Sequence, residues 1–145
     1  MKKILILAFI FSCAYAFTQD EILPQTIESA FKNKYPTSKL DGWRYEEELY
    51  YIDFIAKSIS YTSVFNEEGE WLETSESISD FDIPATLKDY IKHNYPQGNI
   101  SYSEKVVTKD NQNIIRANIY NDMEFIVIQC DNNGTNIKVT KVENE

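Results

Sequence analysis

The residues that could carry chemistry in this chain are few. His93 is the only histidine. A metal centre built on it would need carboxylates or thiols at ligand spacing, so it is expected to cap a short helix or face solvent. Glu46-Glu47-Glu48 and Glu67-Glu68 offer the paired carboxylates that general acid–base work requires. Both runs fall at or beside expected turns, where charges are normally solvated. Gly42, Gly69, Gly98 and Gly134 form no phosphate-binding loop. Asp131-Asn132-Asn133-Gly134 opens like a calcium loop, yet Asn136 and Val142 stand where that motif wants its glycine and its glutamate. A hairpin turn is expected there. The chain therefore reads as no enzyme, with no catalytic residue, no metal ligand and no cofactor.

The ends and the charge narrow the function classes further. Lys2 and Lys3 precede an apolar run from Ile4 to Phe11, and Ala14-Tyr15-Ala16 follows, which is the pattern of a signal peptide cleaved before Phe17. Cys13, after Ile10-Phe11-Ser12, offers a lipoprotein alternative that Phe11 fits poorly. The apolar run falls short of the roughly 20 residues that cross a bilayer, and no later stretch approaches that length. Residues 1–16 hold two lysines and no acid, so their removal takes the net charge from −9 to −11. Such a surface disfavours nucleic acid and anionic membranes, which need clustered Lys and Arg. Cleavage would also leave Cys130 as the one cysteine, so no internal disulfide is possible and the core must carry the stability.

Self-similarity organises what remains. Leu23-Pro24 and Tyr35-Pro36 recur as Ile83-Pro84 and Tyr95-Pro96, each shifted by 60 residues, with Ile27 matching Leu87 and Phe31 matching Ile91. Leu23, Ile27, Ala30 and Phe31, like Ile83, Leu87, Tyr90 and Ile91, are spaced for one face of a helix. The first proline of each pair is expected in the first helical turn. The second is expected to stop the helix, because the ring pushes the preceding residue out of helical geometry. About eleven residues make a helix too short to stand alone in water, so each must dock.

Strand-forming stretches follow each helix, near 39–46, 49–57, 59–66 and 70–77, then 99–108, 113–121, 124–131 and 135–142. Gly69 and Gly134 close matching turns, but at an offset of 65, which puts about five extra residues near Thr108–Asn113. The expected fold class is α+β: two tandem units of one short helix and a four-stranded antiparallel meander, residues 17–80 and 81–145, with both helices on one face of the sheet.

Alternation sends Tyr50, Ile52, Phe54 and Ala56, and likewise Ile115, Ala117 and Ile119, toward the helices. The other face carries Tyr51, Asp53 and Ile55 in the first unit and Arg116, Asn118 and Tyr120 in the second, and these six are the candidate binding residues. Aromatic residues make up 14% of the chain. Tyr35 and Tyr95 repeat and belong to the fold, whereas Trp43 and Trp71, with Tyr51 and Tyr120, are candidates for a recognition surface.

The paired Leu/Ile-Pro and Tyr-Pro helices, each followed by a four-stranded meander with a glycine turn, resemble the PepSY-like, beta-lactamase-inhibitor-like family of exported bacterial proteins over roughly residues 20–142. The resemblance implies a concave sheet that grips a partner protein, with no motif through which contact residues carry over. The expectation is a periplasmic or secreted binding module, inhibitor-like in character, engaging an unknown protein or peptide. The alternative is an envelope structural or stress protein with weak cation binding.

Overall fold

A computed structural model describes residues 22–120 and 124–143. The expected leader, its cleavage position and Cys13 lie outside the described residues. In chain order the elements are α1 (Gln25–Lys34), β1 (Lys39–Glu46), β2 (Leu49–Ala56), β3 (Ile59–Asn66), β4 (Trp71–Ser77), α2 (Ala85–Asn94), β5 (Asn99–Thr108), β6 (Asn113–Tyr120), β7 (Glu124–Asp131) and β8 (Lys138–Glu143). The eight strands form one antiparallel sheet in sequential order β1 to β8.

Both helices end as their prolines require. Tyr35 and Tyr95 sit at φ −129° and −133°, outside helical space, and each donates its backbone N–H to the carbonyl four residues back. Their beginnings differ from expectation. Pro24 and Pro84 occupy the N-cap with ψ near 138°, one position before the first helical residue, so each helix has ten residues. The proline there accepts a helical bond through its carbonyl, as Pro24 does from Glu28, and lacks a donor that would otherwise stand exposed. Leu23 and Ile83 thus lie outside the helices yet remain buried, extending each apolar stripe by one contact.

The helices dock on the same face of the sheet, over two cores of different character. Under α1, Phe31 meets Phe54 edge-on at 5.3 Å and Tyr35 lies 4.6 Å from Phe54, in a largely aromatic cluster with Ile27, Ile52 and Phe65. Under α2 the cluster is aliphatic: Leu87 and Ile91 against Ile115, Ala117, Ile119, Ile126 and Ile128. Each fully buried side chain of this size contributes about 1.5–3 kcal/mol, which supplies what a ten-residue helix lacks by itself. Trp43 and Trp71 correct the sequence reading. Both pack at the edge of the first core; the Trp71 indole N–H donates to Thr74 Oγ1 at 2.8 Å, and Lys34 Nζ stands 3.4 Å above its ring. Tyr35 belongs to the fold, its hydroxyl bonded to Thr74 Oγ1 at 2.5 Å.

Turn chemistry fixes the register. Glu47-Glu48 and Lys57-Ser58 hold positive φ at both positions, giving two-residue turns whose twist matches the strands they join. Gly69 and Gly134, at φ +81° and +77°, close β3–β4 and β7–β8 and tuck beneath the starts of α1 and α2. The five extra residues fall within the β5–β6 hairpin, though only partly in its loop. Gly42 pairs with Asp53, and Tyr102 with Asn118; between those pairs two residues lengthen β5, two the loop and one β6. The lengthened end of β5 is in use, since Val107 and Thr108 pair with Thr74 and Glu73 of β4, across the seam between the halves of the sheet.

Strand β8 starts at Lys138 instead of Thr135 because the preceding turn is larger than four residues. The Asp131 carboxylate accepts from the backbone N–H groups of Asn133 and Thr135, from the Thr135 hydroxyl and from Asn136 Nδ2. These bonds, the Thr135 hydroxyl first, hold the Asp131 carboxyl below its usual value of 3.8. A depressed carboxyl stabilises the fold above its unfolded pKa and ceases to do so as pH falls through the folded one. Protection of the Thr135 amide against hydrogen exchange should therefore hold from pH 7 down to about 4 and fall below that. Asp131→Asn should show lower protection throughout, with no such step.

Candidate functional site

Register assigns every residue of the open face. Arg44, Tyr51, Val64, Glu73 and Thr108 form one row across β1 to β5, and Glu104, Arg116, Gln129 and Lys138 another across β5 to β8. All six candidate residues lie on this face. They form two groups, not one: Tyr51, Asp53 and Ile55 on β2, and Arg116, Asn118 and Tyr120 on β6, four strands and about 19 Å apart.

Between the groups runs an ion cluster. Arg116 donates to both oxygens of Glu73 at 2.9 Å and to Glu104 at 2.7 Å, and burial leaves its side chain 22% exposed, with Glu73 at 24% and Glu104 at 10%. To reach Glu73 on β4 from β6 the guanidinium must cross β5. Val106 lies on that path and is wholly buried although it sits on the open face. Arg116 was a candidate for reading a partner; its charge is instead committed to tying three strands together. Burial opposes its charged form, but the two carboxylates outweigh that and raise its pKa.

The β2 group is also partly engaged. Asp53 accepts from the Thr62 hydroxyl at 2.6 Å, and Arg44 lies 4.3 Å from the Tyr51 ring centroid and 3.6 Å from Asp53. Ile55 and Tyr120 are exposed, at 38% and 51%. Tyr102, at 42%, joins them as a residue the sequence reading missed. A bulge at Ser101, between Ile100 and Tyr102, turns Tyr102 to the open face opposite Asn118. The only sequence signal was its match with Gly42, beside the equivalent bulge of β1.

Two concavities mark this face. Asp53, Thr62, Ser75, Ser77 and Tyr102 border one of about 250 Å³. A larger groove of about 650 Å³ runs from Glu73 past Arg116 to Lys138. The other chemistry-bearing residues lie elsewhere. His93 is exposed in the last turn of α2. Cys130 is buried in the second core, where desolvation pushes its thiol pKa up and away from reactivity. Glu47, Glu48, Glu67 and Glu68 are exposed at turns, and the Tyr45 hydroxyl donates to Glu67 at 2.6 Å, which with the nearby charges raises that phenol to about 12. Among the described residues no His, Cys, Asp and Glu set is placed to hold a metal, and no helix is long and apolar enough to cross a membrane.

An open antiparallel sheet backed by helices on one side defines an α+β scaffold with one bare face. The family model described as "Putative beta-lactamase-inhibitor-like, PepSY-like" matches residues 11–57 and 48–111, and the chain belongs to this family. Solved structures with the same fold include a DUF2874 family protein from Bacteroides uniformis, 19% identical with TM-score 0.66 over 83% of this chain and 91% of that one. A protein from Bacteroides eggerthii described among "putative periplasmic proteins" is 17% identical, TM-score 0.65, covering 85% and 91%. A BLIP-like protein from Bacteroides fragilis is 18% identical, TM-score 0.63, covering 86% and 92%. No curated protein matches the chain.

Proposed function

We propose that this protein is an exported, non-enzymatic binding module that holds a protein or peptide on the open face of its sheet, with an inhibitor-like mode of action. In this reading residues 1–16 are removed before Phe17, and residues 17–80 and 81–145 are two copies of one helix-plus-meander unit, joined edge to edge. The family description, the BLIP-like relative and the relative described as periplasmic support the class and the compartment.

The observation that carries the proposal is the contrast between the two faces. Two helices cover one side over two cores, with Tyr45, Ile59, Val107 and Val139 exposed beside them, whereas the described helices leave the other side bare, with Ile55, Tyr102 and Tyr120 exposed around charges that are already paired. Tyrosine at such positions contributes contact area at low entropic cost.

Affinity capture from an envelope extract tests it, with wild type beside Tyr102→Ala/Tyr120→Ala. Truncating an anchor typically costs 1–2 kcal/mol, so the double variant should retain its partner at least tenfold less well at unchanged melting temperature. Equal capture by a folded double variant would remove this face from the function.

A further inference from the structure

We infer that the groove between Glu73 and Lys138 binds an extended, uncharged polypeptide segment of about six residues through its main-chain amides. This deepens the proposed function by naming the ligand class and the part of the face that takes it. It also shifts the centre of recognition from the tyrosines to the second half of the sheet.

Three observations carry it. First, the groove is lined by carboxamide-bearing residues from three different elements: Gln112 in the β5–β6 hairpin loop, Gln129 on β7 and Asn136 in the β7–β8 turn. A carboxamide both donates and accepts, which is the complement of a peptide unit. Asn136 Nδ2 is held by Asp131, so its amide is oriented with the carbonyl oxygen left as an acceptor. Second, the charges at the groove nearly balance. Glu73 and Asp131 oppose Arg116 and Lys138 along the lining, and Glu104, which shares Arg116 from outside it, leaves an excess of one negative charge in a chain whose net charge is −9. A nearly even site in an acidic protein favours a neutral polar ligand over a strongly charged one.

Third, the dimensions and the floor select among neutral ligands. At about 650 Å³ the groove is of ligand-binding size. It crosses five strands, β4 to β8, which at ~4.8 Å each spans about 19 Å, the length of about six extended residues at ~3.3 Å. The segment would run across the strands, so side-chain amides and not strand pairing must read it. Ile114 supplies apolar floor, and none of the described residues that line the groove is a Tyr, Trp or Phe. A saccharide site would be expected to offer an aromatic platform; this one does not.

Fluorescence anisotropy with the whole mature chain decides it. The probes are labelled hexapeptides of Ala, Ser, Thr and Val with blocked ends, the same peptides N-methylated at alternate residues, blocked tripeptides, and labelled neutral oligosaccharides. The hexapeptides should bind whatever the order of their side chains. The tripeptides and the N-methylated series should each bind at least tenfold more weakly. Gln112→Ala/Gln129→Ala should weaken hexapeptide binding about tenfold at unchanged melting temperature, while His93→Ala, on the exposed last turn of α2, leaves it unchanged. Equal binding of the N-methylated series, saccharide binding in place of peptide, or no hexapeptide binding each overturns the inference. If hexapeptides fail but capture still depends on Tyr102 and Tyr120, the broader function stands and this ligand class is removed. If neither probe nor partner binds, both fail.

Discussion

Replacing Gly134 by alanine should lower the stability of this protein by about 2–4 kcal/mol, while the same change at Gly69 costs about 1–2 kcal/mol. Both glycines hold a left-handed backbone, at φ +77° and +81°, which an L side chain adopts at a cost of about 1–2 kcal/mol. What separates them is space. A β-carbon at Gly69 would stand 3.3 Å from Ala30 Cβ and Thr26 Cγ2, within reach of small adjustments. At Gly134 it would fall 1.8 Å from Thr86 Oγ1 and 2.8 Å from Pro84 Cβ. The threonine can rotate, but the proline ring at the N-cap of α2 cannot move without shifting the helix off Ile115 and Ile128. Overpacking of that kind adds about 1–3 kcal/mol. Thermal melting should show Gly134→Ala falling by roughly 10 °C and Gly69→Ala by about half that. Equal losses would mean that backbone strain alone decides, and that the tuck beneath α2 is unimportant.

Arg116→Met should be as damaging for an electrostatic reason. Removing the guanidinium leaves Glu73 and Glu104 facing each other on adjacent strands, each mostly buried. Breaking one side of a buried ion pair typically costs 3–5 kcal/mol, and the residual exposure of about a fifth places this case near 3 kcal/mol. The diagnostic is rescue. Arg116→Met with Glu73→Gln and Glu104→Leu should recover most of the loss in urea unfolding, since no unpaired charge then remains. Arg116→Lys should recover less than half, because an ammonium cannot span two carboxylates as the fork does. If Arg116→Met alone were neutral, the cluster would be solvated in practice, and Val106 would lack the cover that the geometry assigns to it.

Local patterns in the chain were enough to place the elements. Proline and tyrosine 60 residues apart put both helices within a residue or two of where they lie, because a proline acts on its immediate neighbours whatever the rest of the fold does. Glycine turns and alternation did the same for the strands, and set Ile52, Phe54, Ala117 and Ile119 toward the helices. The errors at this level were also local. The proline caps the helix instead of opening it, and one aspartate gathers the turn before β8 and delays that strand.

The candidate site was legible only as a face. Tyr51, Asp53, Ile55, Arg116, Asn118 and Tyr120 do share one side of the sheet, but alternation cannot say how far apart two strands lie or what already occupies a charge between them. Trp43 and Trp71 went to the helix side, and Tyr102 came to the open side through a single bulge. A one-residue irregularity reverses a face while leaving composition and periodicity almost unchanged.

The elements, their order and the two apolar stripes that bind helices to strands could thus be read from the chain, since all depend on residues within a few positions of one another. The folded sheet was needed to show that β4 pairs with β5 to make one sheet of eight, that Arg116 reaches Glu73 across 43 residues of chain, and that amides from three elements meet in one groove. Those features arise from the sum of many weak cross-strand contacts, and no short stretch of sequence holds that sum.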